Sequence, residues 1–65
     1  MNVNLFKAKL VENGMNVESL AEKMSLNPQT IYNKINKDGF KTSEAMKIGR
    51  ILHLSSVELC DIFFA

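Results

Sequence analysis

The side chains able to do covalent or metal chemistry are few and scattered in this sequence. His53 and Cys60 each stand alone, seven carboxylates are spread along the chain, and Gly14, Gly39 and Gly49 fall in no phosphate-cradling pattern. One histidine and one cysteine cannot supply the ligands of a usual zinc site, and a domain of this size hardly has room for a substrate pocket. A non-enzyme with no metal, cofactor or small-molecule substrate is expected, with His53 and Cys60 filling core or surface. The polar groups that do recur at helical spacing are of another kind: Gln29 and Asn33 stand four residues apart, with Tyr32 beside them. A primary amide accepts and donates side by side, which complements the adenine edge in a DNA major groove.

Only helices are available to position these groups. Five short apolar-periodic segments fill the chain and none alternates as a half-buried strand would, which predicts an all-α, compact five-helix domain spanning residues 1–65. The first segment, Val3 to Asn13, lines one face with Phe6 and Leu10, flanked by Val3 and Val11, and ends at Gly14, with Met15 folding back on the last turn. Asn16 caps a second helix, Val17 to Met24, whose inner face is Leu20, Ala21 and Met24. Asn27 followed by Pro28 marks the start of a third, because proline at the first helical position gives up only a hydrogen bond that the turn could not make. Ile31 and Ile35 are its buried stripe, and it is expected to run out near Asn36. Thr42 or Ser43 caps a fourth helix with inner face Ala45, Ile48 and Leu52, whose Gly49 points to close helix packing. Ser55 with Glu58 forms a capping box for the fifth, which runs through Leu59, Ile62 and Phe63.

Between the second and third helices stand only Ser25, Leu26 and Asn27, too few residues for anything but a tight corner. Small Ala21 falls where two crossing helices would touch, and this is the spacing of a helix-turn-helix. At Leu20-Ala21-Glu22-Lys23, Leu26, Gln29-Thr30-Ile31 and Asn36 the sequence resembles the lambda-repressor-like family, which includes the Cro and repressor proteins of temperate phages. The likeness extends over nearly the whole chain, since that family also has a leading helix ending in glycine and two trailing helices. There are two departures. Ser25 stands where many relatives have glycine, and Leu10 and Ile35 stand where some phage repressors have a buried Arg-Glu pair.

The resemblance implies a sequence-specific, double-stranded-DNA-binding transcriptional regulator whose third helix lies in the major groove. Its outward N-terminal residues would read bases: Gln29, Tyr32 and Asn33, with Pro28 against a thymine methyl. Asn16, Thr30, Asn36, Lys37 and Lys41, at helix starts or in the following loop, would hold phosphates and fix register. Lys34 is a further phosphate candidate, although its stem adjoins the buried stripe.

The net charge of +1 is modest for a nucleic-acid ligand, but it is unevenly spread, at minus one over residues 1–22, plus four over 23–50 and minus two over 51–65. No run approaches the 18 or more apolar residues of a membrane span, and MNVNLFKAKL lacks a basic start followed by a long apolar stretch, so a cytoplasmic protein is expected. A chain this short has a thin core, and its single cysteine forms no internal disulfide, which leaves self-association as reinforcement. The apolar tail after Cys60 suits that role, and a homodimer with Phe64 and Ile62 or Phe63 at the contact is expected. The rival reading is a small helical protein-interaction module that modulates a partner repressor without binding DNA itself.

Overall fold

The computed structural model describes residues 1–64, and Ala65 lies outside it. It is all-helical, with five α-helices in the order α1 (Val3–Glu12), α2 (Val17–Met24), α3 (Pro28–Asn33), α4 (Thr42–Ile51) and α5 (Ser56–Phe63). Each helix contributes one large side chain that is fully buried: Phe6, Leu20, Ile31, Ile48 and Ile62 in chain order. Burying such a group is worth roughly 1.5–3 kcal/mol, so no single helix owns the core and none can leave it cheaply. Among the described residues no helix is long and apolar enough to cross a membrane.

Local chemistry sets most of the boundaries. Asn2 Oδ1 accepts from the Leu5 N–H, Asn27 Oδ1 from Gln29, and Asn16 and Ser19 cap each other reciprocally at the start of α2. Ser55 and Glu58 do the same for α5. Gly14 adopts φ +66, which lets the Met15 N–H turn back to the Leu10 carbonyl at 2.8 Å and close α1.

Four details differ from the sequence expectations. Val11, placed on the flank of the inner face, is 75% exposed, because the stripe of α1 narrows to Phe6 and Leu10. The third helix does not end near Asn36; beyond Asn33 it widens into a π turn over Lys34–Asp38, closed by the Gly39 N–H donating to the Lys34 carbonyl at 2.8 Å. Gly39 takes φ +70 there, a conformation that other residues adopt with strain. Thr42 is the first residue of α4 and not its cap: the flanking position is Lys41, whose N–H donates to Glu44 Oε1 at 2.8 Å. Finally, Phe40 in the α3–α4 connection joins the core. It stacks on Phe6 at 5.8 Å, and Phe63 meets both rings edge-on at about 6 Å.

Polar ties hold α1 to the rear of the domain. The Asn13 amide donates to the carbonyls of Lys9 and Leu52, at 2.8 and 3.2 Å, and so links the ends of α1 and α4. Lys9 pairs with Glu58 of α5 as well as with Glu12. The Glu58 carboxyl is consequently held down at about 2, by the Lys9 amine first and then by the Ser55 N–H, and the Lys9 amine is raised by Glu58 and Glu12.

Candidate nucleic-acid interface

The corner between α2 and α3 is made by one residue in an uncommon conformation. Ser25 sits at φ 57, ψ 39, the left-handed region, and this turn lets the Leu26 N–H donate to the Ala21 carbonyl at 2.9 Å. Leu26 then drops against the core, and Ala21, without bulk beyond its Cβ, is fully buried. Asn27 and Pro28 restart the helix immediately.

With Ile31 and Ile35 pinned inward, the opposite side of α3 is left to solvent. Gln29 and Asn33 are exposed, Pro28 and Thr30 half-buried, and Tyr32 is 38% exposed. The Gln29 amide Nε2 donates to Asn33 Oδ1 at 3.2 Å across one helical turn. The Tyr32 hydroxyl reaches back to Glu18 Oε1 at 3.4 Å, joining α3 to the first turn of α2. Nothing in the sequence singles out Glu18 for this role, because a contact between residues fourteen apart has no local signature.

The expected phosphate ligands divide into two groups. Asn36, Lys37 and Lys41 are exposed on the π turn and just before α4, clustered past the C-terminal end of α3. Asn16 is exposed too, but its Oδ1 is occupied by the Ser19 N–H at 2.9 Å. Lys34 differs: its amine lies 3.1 Å from Glu44 Oε2, with both side chains about four-fifths shielded from solvent. Burial pushes the Glu44 carboxyl up, but the Lys41 N–H and the Lys34 amine outweigh it and hold the group below the usual carboxylate range. The cationic stretch around α3 is therefore led by Lys37 and Lys41, and Lys34 serves to lock the π turn onto α4.

At the other end of the chain, the side chains expected at a dimer contact also divide. Ile62 is fully buried and belongs to the core, so it is not part of an outer contact. Phe63 is half-buried in the aromatic trio, and Phe64 is 54% exposed. Val57 and Cys60, three residues apart, are exposed on the outside of α5, and Phe64, exposed as well, follows its last residue.

His53 and Cys60 both lie at the surface. A cleft of about 400 Å³ lies between α4 and α5 beside Met46, Arg50, His53 and Leu59, and another of about 270 Å³ adjoins Tyr32 between Lys7, Val11 and Glu18. Comparison with protein-family models, curated proteins and solved structures gives no match.

Proposed function

We propose that the chain is a sequence-specific DNA-binding regulator of lambda-repressor-like type, in which α2 and α3 form a helix-turn-helix and α3 lies in the major groove. The observation that carries this reading is the amide side of α3: Gln29 and Asn33, flanked by Tyr32, are exposed while the opposite side is anchored by Ile31 and Ile35. Base readout requires such a surface, with polar ends held by a rigid element and not covered by the protein itself. Lys37 and Lys41, exposed just beyond it, would neutralise phosphates and set the docking register. The regulator would act by occupying its site, as phage and prophage repressors do.

One copy carries a single α3, whereas a palindromic site of this motif is read by two such helices about 34 Å apart. A palindromic site therefore takes two copies, and the proposal includes a homodimer that buries Phe64. A second reading, a helical module that binds a partner protein and not DNA, is favoured by one observation, the exposure of Val57 and Cys60 on α5 and of Phe64 just after it.

Titration of duplex DNA over a range of salt concentrations tests between them. A dimer holding about eight phosphates should show a log-log slope near −7, at about 0.9 per phosphate. No uptake of duplex in dilute buffer would leave only the second reading.

A further inference from the structure

Resting on the DNA-binding reading, we propose that Gln29 and Asn33 read neighbouring base pairs as one hydrogen-bonded unit, matched to an adenine beside a base that presents a major-groove acceptor. The polar ends of the two side chains are 3.2 Å apart, close to the spacing of roughly 3.4 Å between stacked bases along one strand. The two residues stand one helical turn apart, about 6 Å along the axis, so the bonded pair spans enough of the groove to meet neighbouring base pairs.

The direction of the bond sets what each amide has left to offer. Gln29 donates one of its two amide hydrogens to Asn33 and keeps its oxygen and the second hydrogen. That remaining acceptor and donor are what an adenine takes, through N6–H and N7. Asn33 has an oxygen already loaded by the incoming N–H, and both of its own hydrogens remain to be placed. It is thereby biased toward donation, which suits the N7 of a purine, the O6 of guanine or the O4 of thymine, and disfavours cytosine, whose edge presents a donor. The platform beneath the pair is fixed from both sides. Asn27 Oδ1 accepts from the Gln29 backbone N–H at 2.8 Å, and Tyr32, between the two amides in sequence, is tethered to Glu18.

Selection of bound sites from a random duplex library, with sequencing, tests the unit on three proteins. The parent should enrich adenine at one position and exclude cytosine at the next. Asn33→Ala removes the acceptor that orients Gln29, so both preferences should weaken together, the adenine enrichment falling by about 1.4- to 2.3-fold, as an intrahelical amide bond of this kind implies. Asn33→Asp keeps the acceptor but has no hydrogens to give. Adenine should persist while the second position turns to cytosine, whose N4 donates to a carboxylate. Undiminished adenine enrichment in Asn33→Ala would overturn the proposal, because the two side chains would then be reading independently. A parent that is helical by circular dichroism yet takes up no duplex, or takes up every sequence alike, would overturn the DNA-binding reading and this inference with it; selective binding with independent positions would remove this inference alone.

Discussion

The Lys34 amine lies 3.1 Å from Glu44 Oε2, and the same carboxylate takes the Lys41 N–H at 2.8 Å. One acidic side chain thus holds both ends of the connection that carries Lys37. Lys37→Ala is expected to weaken duplex binding of all sequences alike and to reduce the salt slope of the dimer by about two, the loss of one phosphate contact in each copy. Lys34→Ala should leave the slope almost unchanged, since its amine is already neutralised. Equal slope changes in the two variants would show that Glu44 does not withhold Lys34 from DNA.

Ser25 turns the α2–α3 corner at φ 57. A side chain in the left-handed region costs of order 1 kcal/mol, which glycine avoids at some expense in unfolded-state entropy. Ser25→Gly is therefore expected to stabilise the domain by up to about 1 kcal/mol, a rise in melting temperature of roughly 4–8 °C for a chain of this size. Thermal denaturation followed at 222 nm measures it, and a lower melting temperature would contradict this account of the corner.

At Gly49 an added Cβ would meet Leu59 Cδ1 at 2.8 Å, so α4 and α5 approach at the expense of any side chain there. The clash is with the end of a flexible side chain, while alanine gains about 1 kcal/mol in helix propensity over glycine. The two effects should nearly cancel in Gly49→Ala. In a Leu59→Ala background, with the obstacle gone, the same change should stabilise by close to the full 1 kcal/mol. Urea unfolding of the four proteins gives the coupling, and an absence of coupling would rule out the contact as the reason for glycine.

Acid should loosen the domain through Glu58. Its carboxyl is ordinarily near 4.5 and is held at about 2 in the folded chain, by Lys9 and by the Ser55 N–H. A depressed acid contributes stability above its unfolded value and loses it as pH falls through the folded one, so the window is from about 4.5 down to 2. Glu44, also lowered, acts in the same direction. Lys9, raised above 10.5, contributes below that value and loses its share as pH climbs past it. Urea midpoints of the parent and Glu58→Gln should differ at neutral pH and converge toward pH 2; a constant gap would assign the effect to something other than ionisation.

Phe64→Ser should shift the sedimentation of the protein from dimer to monomer with no loss of helicity. An unchanged mass would place any self-association elsewhere on the surface.

Features that a few neighbouring residues determine were legible in the sequence. The caps Asn16, Asn27 and Ser55, the closing Gly14 and the inward Ile31 and Ile35 all stand as their local patterns predict. So does the consequence that Gln29 and Asn33 face out. What escaped depends on residues far apart in the chain. Phe40 reads as part of a loop until Phe6 and Phe63 are brought against it, and Glu44 reads as an ordinary first-turn acid until the π turn swings Lys34 onto it. The sequence leaves Ile62 and Phe63 as alternatives for the outer contact beside Phe64; the aromatic trio gives Phe63 a half-buried place, and Ile62 lies in the centre of the core.

The π turn divides α3 from the lysines that follow it by one residue more than an α-helical turn would hold. Past Asn33 the hydrogen-bond register widens, and the lysine-bearing turn answers to its own anchor on α4. On the DNA-binding proposal, the exposed positions of Pro28–Asn33 would carry selectivity and the lysine-bearing turn the phosphate contacts, so that selectivity and overall tightness would be separate quantities, with Ile31 kept as the anchor of both.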